Sequence, residues 1–435
     1  MKIAVIGVGH VGLVTAATLA RVGHEVVGLD DDQAKMQLLR DGKAPFFEPG
    51  LQELLDQVLR QRSLTFTDDP SEAIRGAEVA FICVGTPSRP DGEANLIAVE
   101  KAAESAGRAA ASDLVIVQKS TVPVHTGDRL AGMLAKISDH KFFLVSNPEF
   151  LREGSAVPDS LEPERILVGS DDPFGHEVMR KVYSHWIDRG ARYFATDLRT
   201  AELAKHACNA FLATKISFIN GVARICEASG ADVVSIAEIM GSDPRIGDAF
   251  LNAGLGYGGY CFPKDVAAFK AQASTLGVDF GLLGEVMRIN AAALDATFQK
   301  IKDAVWNLEG KKIALLGLSF KAGTDDVRES PSLYLAQKLM AAGAQVTGYD
   351  PQANEEAAKA LPGLMTALDP YEAAEGADCL VIGTEWQEFA ELDLVRLKGI
   401  LNRPVIVDAR NLLHAPSVAE AGFTYLPTGR PALNL

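Results

Sequence analysis

The chain predicts an α/β architecture: two doubly wound, parallel-sheet domains at its two ends, joined by a long central helix. Three observations carry that reading. Short, almost wholly apolar segments alternate with helical stretches, the pattern of parallel strands covered on both faces. The pattern occurs twice: KIAVIG (Lys2 to Gly7) is echoed by KIALLG (Lys312 to Gly317), EVVGLDDD (from Glu25) by QVTGYDPQ (from Gln345), and GAEVAFICVGTP (from Gly76) by GADCLVIGTEW (from Gly376). Between the copies, the segment from Thr200 to Gly230 is rich in helix formers, lacks proline, and repeats apolar residues every three or four positions.

Composition fits that division. A chain of 435 residues is too long for one core. We expect an N-terminal domain over 1–199, a central helical region over 200–305 and a C-terminal domain over 306–435. The formal charge of −15 disfavours nucleic acid and anionic lipid, which both require a basic surface. No apolar run approaches the ~18–20 residues that span a bilayer, and the start methionine leads straight into a strand, so neither a membrane anchor nor export is expected. Five scattered cysteines without CxxC spacing suit a reducing cytoplasm, and with His10 and His24 isolated no metal site is expected.

Taken in chain order, the first turn reads GVGHVG, with Gly7, Gly9 and Gly12 between a strand and an amphipathic helix, VGLVTAATLARVG. Such glycines allow a tight turn and close backbone approach, while the helix N-terminus attracts a pyrophosphate. Asp30 ends the next strand, where a carboxylate accepts ribose hydroxyls and repels a 2′-phosphate, so a Rossmann-like fold binding NAD rather than NADP is expected. Thr86 and Thr121 follow apolar strands, at the carboxyl edge where such sheets bind ligands. The central helix carries Lys205 and Asn209 four residues apart, on one face, where an apolar helix has little structural reason to bury a lysine. Its apolar character on more than one face suggests burial against another helix or a second subunit. The C-terminal copy lacks the glycine fingerprint and offers Lys321 and Arg328 instead, which suits a second anion site. GLGYGGYCFPKD (Gly254 to Asp265) sets Cys261 among glycines, aromatics, Lys264 and Asp265. For an isolated cysteine the plain alternative is a small buried hydrophobe.

The motifs GVGHVG, GTP (Gly85 to Pro87), STVP (Ser120 to Pro123), NPEFLREG (Asn147 to Gly154), AKHACNAF (Ala204 to Phe211), GYGGYCFPKD and SFKAGTDDVRESPS (Ser319 to Ser332) stand in the order of the UDP-glucose 6-dehydrogenases, and the chain resembles that family from end to end. The resemblance implies NAD-dependent oxidation of a nucleotide sugar's C6 alcohol to a carboxylate, UDP-glucose to UDP-glucuronate. Two hydride removals are needed, and the intermediate aldehyde yields its hydride only after a nucleophile adds. Cys261 is that nucleophile by this resemblance, forming a thiohemiacetal and then a thioester that water hydrolyses.

The resemblance assigns further roles. Lys205 and Asn209 face the reacting C6 and stabilise an oxyanion; Lys205 is also a candidate proton acceptor. Asp265 orients or deprotonates a water, Glu149 is a general base for hydrolysis, and Thr121 holds a catalytic water. On the cofactor side stand Val11 of the glycine turn, Lys35, Thr86, Thr121, Glu153, Lys264 and Arg328. On the substrate side stand Phe150, Leu151, Arg245, Phe250, Asn252, Tyr257, Gly258, Lys321 and Arg410, with Gly258 and Gly259 letting backbone approach the sugar. A homodimer is expected. The pattern departs from the family at Tyr260, where serine is usual, and at His10, where the turn commonly holds another aromatic. Two other readings stand beside it: the same chemistry on GDP-mannose or a UDP-N-acetylhexosamine, and a non-catalytic protein that binds NAD and nucleotide sugars. The presence of Cys261 and Lys205 argues against the latter.

Overall fold

The structure, a computed structural model, describes residues 1–434. It contains two sheets. The first comprises β1 (Lys2–Ile6), β2 (Glu25–Leu29), β3 (Leu64–Thr67), β4 (Val79–Ile82), β5 (Leu114–Gln118), β6 (Phe142–Ser146), β7 (Arg165–Gly169) and β8 (Arg192–Thr196), in spatial order β3-β2-β1-β4-β5-β6-β7-β8. The second comprises β9 (Lys312–Leu316), β10 (Gln345–Tyr349), β11 (Met365–Thr366), β12 (Cys379–Ile382), β13 (Val405–Asp408) and β14 (Thr424–Pro427), ordered β11-β10-β9-β12-β13-β14. The strand order reverses beside β1 and beside β9, the crevice at which such sheets receive ligands.

Both sheets are doubly wound, and alternate residues of each strand supply the two cores. Ile3, Val5, Phe81 and Val117 face one apolar cluster, Ala4, Ile6, Ile82 and Ile116 the other. In the second sheet Ile313, Leu315, Val381 and Val407 oppose Ala314, Leu316, Leu380 and Ile406. Burial on both faces is why these strands read as unbroken apolar runs. All pairings of the second sheet are parallel. The first is parallel through β6, but β7 meets β6 antiparallel at Ser146 and Gly169, with β8 parallel to β7.

The helix after the glycine turn, His10–Arg21, differs from its expected amphipathic character. Every residue from Gly12 to Ala20 is buried, because helices Leu51–Arg60 and Ala156–Leu161 cover the side turned away from the sheet. Its two buried hydroxyls are satisfied internally, Thr15 donating to the Val11 carbonyl at 2.7 Å and Thr18 to that of Val14 at 2.8 Å.

A 32-residue helix, Leu198–Ser229, joins the two sheet-bearing parts. The chain divides into two compact units, Met1–Cys208 with Ala267–Val278, and Asn209–Val266 with Asp279–Leu435. Among the described residues, no helix is long and apolar enough to cross a membrane, and no group of three or more His, Cys, Asp or Glu could hold a metal ion.

Candidate active site

In the first unit the glycine turn is shaped by close approach. A Cβ at Gly12 would lie 1.7 Å from the Gly7 carbonyl oxygen, whereas one at Gly9 would meet nothing within 4 Å. Packing therefore explains Gly12 but not Gly9, whose open face fits a pyrophosphate drawn close to the backbone. Half-buried Val11 follows, and His10 stacks on Phe46 with centroids 3.9 Å apart. Asp30 stands at the end of β2, its Oδ2 accepting the Val8 N–H at 2.9 Å, so the acid expected at the ribose also braces the turn. Lys35, expected at the cofactor, places Nζ 2.9 Å from the same Oδ2. The ammonium thus neutralises the acid, a use that sequence spacing did not reveal. Thr86 is buried, and its hydroxyl donates to the Thr121 carbonyl at 3.0 Å, linking the ends of β4 and β5.

Beyond β6 the acid-bearing loop is fastened at several points. Asn147 accepts from Tyr183 Oη at 2.5 Å and from the buried Lys119 Nζ at 3.3 Å. Glu149, 9% exposed, forms an ion pair with Lys205 Nζ at 3.1 Å, and Lys205 is 4% exposed. The carboxylate's second oxygen, Oε2, is buried without a hydrogen-bond partner. Phe150 lies between cations, 5.2 Å from Lys205 Nζ and 4.3 Å from the Arg165 guanidinium, and Leu151 packs against the core. Glu153 is half-buried. Sequence reasoning missed Glu48, which lies between β2 and β3: its two carboxylate oxygens accept the N–H groups of Gly154 and Ala156, both at 2.8 Å, pinning the loop. It also missed Glu202, one turn before Lys205. This 2% exposed carboxylate accepts from His125 N–H at 2.8 Å and Gly127 N–H at 2.7 Å, and burial pushes it up to about 7.

In the second unit Cys261 is the first residue of helix Cys261–Thr275 and is half-buried. The positive end of a helix stabilises a thiolate there. One turn on, Lys264 Nζ contacts Asp265 Oδ1 at 2.5 Å. Burial works to lower the Lys264 pKa, but Asp265 and then Cys261 outweigh it and raise it. Lys264 is therefore a fixed cation beside the thiol. Asp265, 1% exposed, also accepts from Asn209 Nδ2 at 2.6 Å. Three of the other cysteines are buried: burial pushes Cys83 and Cys379 up to about 12 and also raises Cys226.

Around this loop, Tyr257 is 7% exposed, and its phenol is pushed up to about 12 by burial. Phe250 sits 6.0 Å from Phe262, ring to ring. Tyr260 lies under two cations, the Arg328 guanidinium at 4.3 Å and Lys264 Nζ at 5.3 Å. Arg328 is held by Asp326 through Nε at 2.9 Å and Nη2 at 2.6 Å. Half-buried Lys321 lies 5.9 Å from the Phe320 ring, and the Phe320 carbonyl accepts from Arg410, which also donates to Gly383 at 2.8 Å. Arg245 stands apart: its side chain is 87% exposed and bidentate to Asp243 of its own loop, and Asn252 is exposed as well. The Cβ positions of Gly258 and Gly259 are filled by the protein itself, by the Glu329 carbonyl 2.3 Å away and by the Phe320 ring at 2.6 Å, so close packing within the protein already requires glycine at both.

The second sheet's counterpart of Asp30 is Asp350, and it is saturated. Its Oδ2 accepts from Leu318 N–H at 2.8 Å, Ser319 N–H at 2.9 Å, the Ser319 hydroxyl at 2.7 Å and Trp386 Nε1 at 3.1 Å, and the residue is 1% exposed. No capacity is left there for a ribose.

Residues 1–187, 199–292 and 314–415 match the NAD binding, central and UDP binding domains of the UDP-glucose/GDP-mannose dehydrogenase family. The chain belongs to that family. Its members are NAD-dependent oxidoreductases, and the open glycine turn with Asp30 lies within the part of this chain that matches the NAD binding domain. The UDP-glucose 6-dehydrogenase of Rhizobium meliloti (strain 1021) is 45% identical over 99% of this chain and 100% of that protein. The UDP-glucose 6-dehydrogenase of Pseudomonas aeruginosa is 41% identical over 99% and 98%. Among solved structures, a UDP-glucose dehydrogenase from Pyrobaculum islandicum superposes with a TM-score of 0.92 at 36% identity, covering 99% of this chain and 98% of that one. A UDP-D-ManNAc dehydrogenase from Pyrococcus horikoshii superposes with a TM-score of 0.88 at 28% identity, covering 99% of each.

Proposed function

We propose that the protein oxidises UDP-glucose to UDP-glucuronate with two equivalents of NAD, using Cys261 as a covalent nucleophile. The observation that carries the proposal is the setting of Cys261: half-buried at a helix N-terminus, one turn from the fixed cation Lys264. Its buried counterparts Cys83 and Cys379 have thiols too acid-weak to serve. The 45% identical relative named for UDP-glucose supports this substrate, against 28% for the relative named for UDP-D-ManNAc.

NAD, when bound, accepts a hydride at each of two oxidations of C6. Between them the Cys261 thiolate adds to the C6 aldehyde, whose oxygen takes a proton to give a thiohemiacetal. The second oxidation leaves a thioester. Water then cleaves the C–S bond, returning the thiol and leaving the carboxylate. Lys205 and Asn209 are assigned to the C6 oxygen, and Glu149 with Thr121 to the hydrolytic water. For Asp265 the contacts favour orientation over proton abstraction, since both its oxygens are already engaged by Lys264 and Asn209. Val11, Thr86, Glu153, Lys264 and Arg328 are assigned to the cofactor. Phe150, Leu151, Phe250, Asn252, Tyr257, Gly258, Lys321, Arg410 and Arg245 are assigned to the nucleotide sugar. By this reading 1–199 binds NAD, 200–305 presents the cysteine, and 306–435 holds the UDP group.

The working form is a homodimer. Phe211, Phe218 and Ile225, 66%, 54% and 67% exposed, recur every seven residues on the central helix, an apolar stripe suited to a second copy. We place the protein in the cytoplasm, where NAD is available and five free cysteines persist.

NADH counted per UDP-glucose, with limiting sugar and excess NAD, tests the proposal. Two are expected, and Cys261→Ser should reduce the count toward one. One NADH from the wild type would remove the thioester route. None from UDP-glucose and two from UDP-N-acetylmannosamine would transfer the same chemistry to that sugar.

A further inference from the structure

The segment leading into Cys261 has no regular secondary structure from Leu251 to Gly258, yet its backbone is held at two points by side-chain amides. Asn290, on helix Gly281–Val305, accepts the Tyr257 N–H on Oδ1 at 2.8 Å and donates from Nδ2 to the Tyr257 carbonyl at 3.0 Å. A single amide therefore satisfies both backbone groups of one residue, as a neighbouring strand would. Asn220, on the central helix and 2% exposed, accepts the Gly254 N–H at 2.8 Å. Gly256 lies between these two clamps with φ +102°, and a Cβ there would come 2.6 Å from Asn290 Oδ1. The glycine is thus required both by its conformation and by the approach of the amide.

We propose that Asn290, supported by Asn220, is a positioning residue for the Cys261 nucleophile. The inference rests on the reading of Cys261 given above. A glycine-rich loop has many accessible conformations, and each peptide group fastened to a helix removes some of them. The loop turns directly into the helix that begins at Cys261, so the two clamps set where that helix starts and where the sulfur sits. Displacement of a reacting group by about 1 Å costs about 10²-fold in rate. That loss should fall on the thiol's step. The first oxidation needs no sulfur, whereas the second follows its addition.

The test compares wild type, Asn290→Ala, Asn290→Asp and Cys261→Ser as purified full-length proteins with UDP-glucose and excess NAD. NADH formed and UDP-glucose consumed are both measured, with a carbonyl trap for released aldehyde. Asn290→Ala should lower kcat about 10- to 100-fold and bring NADH per sugar below two as aldehyde escapes, with KM for NAD unchanged. A smaller folded fraction would reduce the rate but leave the ratio at two. Asn290→Asp keeps an acceptor for the Tyr257 N–H and loses the donor to its carbonyl. It should show the same fall in milder form, and it carries the test if the alanine variant does not fold. A ratio of two in both Asn290 variants, with Cys261→Ser well below two, overturns this inference alone. A ratio of two in Cys261→Ser overturns the nucleophile reading beneath it.

Discussion

Replacing Lys205 by methionine should unmask the cost of burying Glu149. The ion pair spans 3.1 Å between side chains 5% and 9% exposed, and Glu149 Oε2 has no hydrogen-bond partner. Methionine keeps an unbranched apolar stem and removes the charge that lies 5.2 Å from the Phe150 ring. Two unit charges about 4 Å apart at an effective dielectric of about 20 attract by about 4 kcal/mol, and breaking a buried pair typically costs about 3–5 kcal/mol because the remaining charge is stranded. For a unit of this size, each kcal/mol is worth about 2–4 °C, so a fall in Tm of about 6–20 °C is expected.

Scanning calorimetry provides the assay, the relevant transition being the one that added NAD moves upward. The double variant Lys205→Met/Glu149→Gln should recover most of the loss, since the stranded charge is gone. An unchanged Tm for Lys205→Met, or no recovery in the double variant, would refute the argument that the pair is a buried charge couple.

Three further outcomes follow from the contacts. Glu202, raised to about 7, contributes stability that is complete below its unfolded pKa and lost as pH rises through about 7, a span worth about 3 kcal/mol; urea unfolding of Glu202→Gln between pH 5 and 8 should show a flatter profile than wild type. Asp350→Ala leaves the Leu318 and Ser319 N–H groups without their acceptor and should cost about 2–4 kcal/mol in chemical denaturation, with KM for NAD unaffected. Phe218→Asp places a charge in the exposed apolar stripe of the central helix, and sedimentation at micromolar concentration should show the proposed dimer for the wild type and monomer for the variant.

The sheets were readable because strands buried on both faces leave unbroken apolar runs, and the internal repeat marked two of them. The reversed direction of β7 was not, since an apolar pentapeptide such as Arg165–Gly169 carries no sign of strand polarity. Asp30 and Asp350 occupy like positions in sequence and differ through their partners: Lys35, five residues on, and an open turn for one, Ser319 and Trp386, 31 and 36 residues away, for the other. The amphipathic reading of His10–Arg21 failed for a related reason, because the helices covering its outer face lie elsewhere in the chain. Motif order put forward Cys261, Lys205, Asn209 and Asp265 as candidates but passed over Glu48, Asn220 and Asn290, which hold backbone groups distant in sequence. Each glycine of the cysteine loop signalled close approach correctly, while the identity of what approaches required the fold.

Two lysine–carboxylate pairs carry the candidate chemistry, and each is complete within one compact unit. Glu149 with Lys205 belongs to the first unit; Asp265 with Lys264 and Asn209 belongs to the second. The carboxylates differ in what they leave available. Both Asp265 oxygens are engaged, so it is a holder of neighbouring groups, and its charge keeps Lys264 protonated beside the thiol. Glu149 retains an oxygen with no hydrogen-bond partner, which a water could meet, and its cation offsets the cost of keeping it charged out of bulk solvent. The proposed mechanism calls first for a thiolate and later for an activated water, and the unlike settings of the two carboxylates suit those unlike duties.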